Sequence, residues 1–246
     1  MSGRRQTRAA PPPEAVGPHP LGGLALVLAG ERVVCRPSGA LWLETHGALI
    51  VADLHLEKGS FYATHGQMLP PYDTAETLRR LDAEVSALAP DAVVFLGDSF
   101  HDREGDGRLA AADAATLRAT VSGRTLVWVT GNHDPIGPRG LPGDTAPILA
   151  LGALRLVHEP AGGPSAGEVA GHLHPCARVA ARGASVRRRC FVTDGERVVL
   201  PAFGTLAGGL NIRDAAFHPL FRARPLAAVL GAGRVHAVGW GSLRDD

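Results

Sequence analysis

Seven side chains able to donate to a metal ion stand at the downstream ends of five apolar stretches. They are Asp53 and His55 in "VADLH", Asp98 in "LGD", Asn132 in "TGNHD", His158 in "LVHEP", and His172 and His174 in "AGHLHP". On an extended chain residues i and i+2 point to one side, so Asp53 with His55, and His172 with His174, are expected to project together from strand ends. Carboxylate, amide and imidazole donors without thiolate suit manganese, iron, zinc or nickel and disfavour a structural zinc site. Seven donors exceed what a single catalytic ion with an open position takes. They suit two ions roughly 3.5–4 Å apart that share a bridging carboxylate. Such a pair acidifies a bridging water and clamps phosphate oxygens during in-line attack, so the chemistry indicated is phosphoester hydrolysis. Any one of these histidines alone would read as an ordinary core or surface residue. As a set they do not, because polar groups buried without partners are costly.

The elements that must position these groups are legible from pattern. Short apolar runs rich in β-branched residues, "LALVLAG", "RVVC", "ALWLE" and "ALIVA", predict strands between Leu24 and Ala52. "PPYDTAETLRRLDAEVSALAP" predicts a helix with Leu78, Leu81, Val85 and Leu88 on one face, and Asp73 with Glu76 has capping-box spacing. "DAVVFLGD" and "TLVWVTGNHD" predict buried strands flanking an alanine-rich helix at Leu109–Ser122. After Gly140 the runs "ALRLVHEP", "EVAGHLHP", "RVAA", "SVRRRCFVT" and "RVVLPAFG" follow one another without helices between them. Strands, then strand–helix alternation, then strands again predict two facing sheets with helices outside, an α/β sandwich spanning 21–246. The Pro-, Ala- and Arg-rich segment 1–20 is expected to be a disordered tail. Polar clusters at the carboxyl ends of strands are where open α/β sheets bind ligands.

The pattern resembles the calcineurin-like metallophosphoesterases, whose D-x-H, GD, GNH[D/E], lone H and GHxH pieces all occur here in order. They are Asp53-Leu54-His55, Gly97-Asp98, Gly131-Asn132-His133-Asp134, His158, and Gly171-His172-Leu173-His174. The resemblance implies a four-layer α/β/β/α sandwich with two divalent metal ions, manganese favoured and iron, zinc or nickel as alternatives. It implies that Asp53, His55 and His174 hold the first metal, that Asn132, His158 and His172 hold the second, and that Asp98 bridges them. His133 is then left off the metals to protonate or stabilise the leaving oxygen, with Asp134 orienting it, while a metal-bridging hydroxide attacks phosphorus. "HGQMLPPYDTAETLRRL", "FLGDSFHD" and "LPAFGTLAGGLNI" further resemble the bacterial ligase-associated DNA damage response endonucleases. That similarity implies a DNA phosphodiesterase in DNA repair, linked to a DNA ligase and a helicase. A phosphatase or nucleotide pyrophosphatase on the same fold is the enzymatic alternative, and a non-catalytic interaction module the other.

Several residues stay open at this level. Lys58, the sole lysine, fits either a phosphate contact or an ordinary loop lysine, and His101 either lines the cleft or does not. Between Val169 and Thr193 lie Arg178, Arg182, Arg187, Arg188 and Arg189 and no acid, a stripe that could track a nucleic-acid backbone. "LPAFGTLAGG" either borders the cleft or only turns the chain. His19, His46, His65, His218 and His236 lack a ligand partner at strand-end spacing and read as solvated or capping residues.

With 45% hydrophobic and 20% charged residues the chain can bury a full core, and its net charge of +1 selects no partner. Cys35, Cys176 and Cys190 fit neither a disulfide framework nor a zinc ribbon and suit a reduced interior. "LGGLALVLAG" has the length of a signal core, but "AAPPPEAVGPHP" separates it from Arg4 and Arg5, so a cytoplasmic protein is expected. No run approaches the roughly 20 apolar residues of a membrane span, and no nucleotide-cofactor fingerprint occurs.

Overall fold

The computed structural model describes residues 16–181 and 184–246. The first sheet takes its strands in chain order: β1 (Gly17–Pro18), β2 (Leu24–Leu28), β3 (Glu31–Cys35), β4 (Leu41–Leu43), β5 (Ala48–Ala52), β6 (Ala92–Leu96), β7 (Thr125–Val129) and β8 (Asp144–Ala146). From β1 to β5 neighbours are antiparallel; from β5 to β8 they are parallel. Parallel neighbours need a crossover. Helices α1 (Lys58–Thr64) and α2 (Asp73–Leu88) carry the chain from β5 to β6, and α3 (Gly105–Arg108) and α4 (Ala111–Val121) from β6 to β7.

The second sheet holds β9 (Leu149–Leu151), β10 (Leu154–Val157), β11 (Glu168–Ala170), β12 (Pro175–Ala181), β13 (Ala184–Thr193), β14 (Val198–Val199), β15 (Leu210–Asn211), β16 (Leu226–Leu230), β17 (Val235–Gly239) and β18 (Leu243–Arg244). Here β10, β11 and β14 run parallel, and β12 and β13 form a long antiparallel hairpin.

Alternation along each strand divides the buried residues between two faces. Ile50, Ala52, Val94, Leu96, Val127 and Val129 meet Leu154, Leu156, Val169, Phe191 and Val198 between the sheets. Leu49, Val51, Val93, Phe95 and Trp128 face the other way and take the apolar side of α2 and α4, including Leu78, Leu81, Val85 and Leu117. Strands covered on both faces read as continuous apolar runs, which is why "ALIVA" and "AVVFL" show no alternation of their own. Phe217 and Leu220, from the 3₁₀ turn Ala215–Leu220, pack on Ala177, Cys190 and Val192 of the second sheet's outer face. The architecture is the α/β/β/α sandwich, with its fourth layer reduced to that turn: among the described residues no α-helix follows Val121.

Two local expectations need correction. Part of the segment expected to be tail is built into the fold, because Gly17 and Pro18 pair with Ala25 and Leu24 and His19 is buried; residues 1–15 lie outside the described residues. Asp73 and Glu76 form no capping box. Tyr72 is the cap and contributes no side-chain bond, while the buried Asp73 carboxylate accepts the Gly59 N–H at 3.0 Å. Glu57 N–H donates to Thr74 Oγ1 at 2.9 Å, and that hydroxyl donates to Glu57 Oε1 at 3.0 Å. The start of α2 thus anchors the chain just beyond the first donor pair instead of capping itself.

Candidate metal centre

Asp53 and His55 follow β5, Asp98 follows β6, Asn132 and His133 follow β7, His158 follows β10, and His172 and His174 follow β11. All five strands end at the same edge of the sandwich. The donor pairs do not sit on extended chain, contrary to the sequence argument. Asp53, His55, Glu57, Asp98, His172 and His174 all have φ between 44° and 71°. A left-handed residue other than glycine costs roughly 1–2 kcal/mol, and such strain persists only where the surroundings over-determine it. Here they do: Asp53, His55 and Leu56 donate their N–H groups to the carbonyls of Gly97, Asp98 and Ser99 at 2.9–3.2 Å. On the other side Phe203 and Gly204 donate to the carbonyls of Ala52 and Asp53 at 2.8 and 3.1 Å. The "LPAFGTLAGG" segment therefore borders the site and is part of its frame. Arg80 holds that segment through the Phe203 carbonyl at 2.8 Å, and Arg189 through those of Ala202, Thr205 and Ala207 at 3.0–3.2 Å.

The structure brings all seven donors together in two groups. Ligand atoms of Asp53, His55 and His174 lie within 4.8 Å of one another, as do those of Asp98, His158 and His172. In the first group, His174 Nε2 is 3.2 Å from His55 Nε2 and 3.4 Å from Asp53 Oδ1. In the second, Asn132 Oδ1 is 2.9 Å from His158 Nε2 and 3.0 Å from His172 Nδ1. Asp98 Oδ2 reaches both, at 3.4 Å from His158 Nε2 and 4.0 Å from His55 Nε2. Its other oxygen accepts the His133 N–H at 2.9 Å. Glycine makes the approach possible at two points: a Cβ on Gly131 would stand 2.2 Å from Asp98 Oδ1, and one on Gly97 would stand 2.2 Å from His158 Nδ1.

The electrostatics fit divalent cations. Asp53 and Asp98 are 0% and 2% exposed, and among the described residues the only cationic partners within 4 Å of either are histidines. Buried charge left so weakly compensated calls for a counter-ion. His158 Nδ1–H donates to the Leu96 carbonyl at 3.3 Å, which aims Nε2 at the cluster, as a backbone partner commonly orients a ligating imidazole. Burial alone would lower the His158 pKa, but Asp98 and Asp53 raise it to about 8. Burial likewise opposes ionisation of Asp98, and His158, the His133 N–H and His55 together outweigh it, bringing that carboxyl to about 2. Burial, with the charge of His174, drives His55 down to about 2, leaving it neutral as a metal ligand must be.

His133 stands at the rim, with Nε2 3.9 Å from Asp98 Oδ2. Its Nδ1 is 2.7 Å from the His101 carbonyl. A carbonyl only accepts, so Nδ1 carries a proton and Nε2 faces the cluster. Asp134 does not orient this ring, contrary to the expectation from the motif. Its buried carboxylate accepts the N–H groups of Ser99 and Phe100 at 2.8 and 3.2 Å, and that of Gly131 at 3.2 Å. It ties the β6 and β7 loops together, and the orienting atom is the main-chain oxygen of His101, which no side-chain motif announces. Burial foremost, and the Asp98 charge, push Asp134 up to about 6. Asp134→Ala should strand three amide donors at about 1–3 kcal/mol for each one left unsatisfied. Urea denaturation of the metal-free chain should show that loss; an undiminished midpoint would contradict this role.

The His101 ring stacks with His133, centroids 5.4 Å apart and planes at 19°, and with Tyr62 at 5.7 Å and 26°. Burial first, then Lys58 and His133, lower the His101 pKa to about 4. Lys58, at the start of α1, is half-buried, and burial lowers its pKa. All three cysteines are unpaired and buried.

Two sheets converging five strand ends on paired carboxylate and imidazole groups define a metallophosphoesterase sandwich. The chain belongs to the calcineurin-like phosphoesterase family, whose profile matches residues 48–176, over half of its length. It is a metal-dependent phosphoesterase, and the family implies a dinuclear centre of divalent ions. Among solved structures, the nuclease MPE of Pseudomonas putida is similar at 26% identity and a TM-score of 0.64, with 87% of this chain and 98% of that one covered. No curated protein matches.

Proposed function

We propose that the chain is a dinuclear-metal phosphodiesterase that cleaves DNA. Asp53, His55 and His174 hold one cation, Asn132, His158 and His172 hold the other, and Asp98 is shared. The observation that carries this reading is the place of Asp98 Oδ2, within 4.0 Å of an imidazole from each group and buried among donors of opposite demand. Manganese is favoured because the donors are oxygen and imidazole without thiolate. When bound, the cations polarise phosphate oxygens and acidify a water to near-neutral pKa.

The chain's own groups do the rest. The hydrogen bond to the His101 carbonyl keeps His133 Nδ1 protonated and leaves Nε2 facing the cluster, where the doubly protonated ring passes its Nε2 proton to the departing oxygen and returns to the neutral Nδ1–H form. The left-handed turns at Asp53 and His55, held by main-chain hydrogen bonds to the β6 loop and, for Asp53, also to Gly204, fix the direction in which two donors leave the backbone. The Pseudomonas putida nuclease, similar over 87% of this chain, supports a nucleic-acid substrate, and the subgroup resemblance points to DNA. On the subgroup resemblance we place the enzyme in DNA repair, working with a DNA ligase and a helicase. Three buried, unpaired cysteines support a reducing cytoplasm; among the described residues no helix is long and apolar enough to cross a membrane.

A substrate panel tests the reading. The manganese-loaded chain is expected to cleave single-stranded DNA in preference to cyclic dinucleotides, nucleoside diphospho-compounds and phosphomonoesters. Turnover of phosphomonoesters or pyrophosphates with DNA left intact would replace it with a phosphatase or pyrophosphatase.

A further inference from the structure

The arginines expected to form a stripe do not act as one. Arg182 lies outside the described residues. Arg189 is engaged by three carbonyls of the 202–207 segment. Arg188 pairs with Ala177 and so stands on the opposite face of the hairpin from its two neighbours. What remains is a different grouping. In the register of β12, Arg178 is the partner of Arg187 on β13 and, across its other edge, of Arg244 on β18. Three arginines thus stand side by side on adjacent strands, one every ~4.8 Å.

Like charges placed directly opposite across a ladder destabilise it. The counter-charge here is thin: Arg187 Nε meets Asp246 Oδ1 at 3.2 Å, and among the described residues no carboxylate lies within 4 Å of Arg178 or Arg244. Their other partners are neutral. Arg178 Nε donates to Ser185 Oγ at 2.9 Å, and Arg244 donates to the carbonyls of Gly241 and Leu243 at 3.2 and 2.9 Å. These bonds orient the guanidinium groups without discharging them. A local rule broken with so little compensation is expected at a functional or strained site.

The row is also well placed. Arg178 lies on β12, which begins one residue after His174, so it stands within about 13 Å of that donor along the chain. A cleft of about 230 Å³ lined by Cys176, Arg187, Arg188, Arg189, Ala207, Gly208 and Gly209 lies beside that stretch and takes in Arg187 of the row. Arg187 and Arg244 are exposed and Arg178 half-buried, so the charge is accessible.

We propose that Arg187, Arg178 and Arg244 form a docking row for the phosphate backbone of a DNA strand whose scissile phosphate lies at the metal centre. The proposal rests on the DNA reading above. Guanidinium forks suit phosphate oxygens, two bonds at a time, and a chain of net charge +1 needs a local array because its overall field is weak.

The test is the salt dependence of binding. Fluorescence anisotropy of a labelled single-stranded oligodeoxynucleotide with the metal-free full chain gives the slope of log K against log salt. The Arg178→Gln/Arg244→Gln variant is expected to lower that slope by about 0.7 for each arginine removed. Because it relieves repulsion, Arg178→Gln should melt at or above the parent's temperature at low salt. An unchanged slope overturns the row. So does a variant that melts well below the parent, since Arg178 would then be structural. The parent chain separates this from the wider reading. If it turns over bis(p-nitrophenyl) phosphate with manganese yet does not bind the oligonucleotide, the DNA assignment fails and takes the row with it. If the parent binds with a steep slope that the variant retains, only the row is lost.

Discussion

Asp98→Ala is expected to leave the chain without either cation and without phosphodiesterase activity. One oxygen of this side chain stands between the two donor groups, and the other accepts the His133 N–H at 2.9 Å. Removing it takes away the shared ligand, the negative charge that holds His158 near pKa 8, and the bond that seats His133. Elemental analysis of protein purified with manganese should fall from about two ions per chain toward none. Asp98→Asn separates shape from charge, because the amide oxygen can still accept from His133. It should keep the fold and bind metal poorly. An Asp98→Asn chain that carries a full complement of manganese and cleaves at the parent rate would sink the shared-carboxylate assignment.

The second large effect belongs to His133 and has the opposite signature. His133→Ala should retain its metal, since none of the seven donors is touched, yet lose about 10²–10⁴ in turnover, the usual worth of a positioned proton donor. The loss should depend on the leaving group. Nitrophenolate departs readily without a proton, so the chromogenic diester should suffer least, and a DNA diester, which releases a sugar alkoxide, most. Equal losses on both substrates would show that His133 binds phosphate without protonating the leaving oxygen.

Much of this arrangement was legible in the sequence, for a physical reason. A buried strand reads as a run of apolar residues, and a metal ligand at its end reads as a polar residue the run does not need. Repeated five times in order, that contrast picked out the residues from Asp53 to His174 that the fold brings together. The identities were visible because they are side-chain properties. What escaped is carried by the backbone. The i, i+2 argument brought Asp53 and His55 together for the wrong reason, because φ values of 53° and 44° leave no trace in residue type when the residue is not glycine. The His101 carbonyl that sets His133 has no side-chain signature at all. Asp134 was legible as part of a motif but not as the tie between two loops, since its donors, Ser99, Phe100 and Gly131, are main-chain groups. The arginine row was invisible because it depends on register: Arg178 and Arg244 are far apart in the chain and adjacent only once β12 and β18 pair.

The hydrogen bonds from Phe203 and Gly204 to the carbonyls of Ala52 and Asp53 have a consequence for biosynthesis. The earliest donors emerge from the ribosome long before the segment that clamps them, and contacts so distant in sequence form late and slowly. A nascent chain halted anywhere short of this segment would present loose aspartates and histidines with no shaped pocket. Ion loading should therefore follow synthesis of the whole clamp, and a product truncated before Phe203 should stay metal-free and inert.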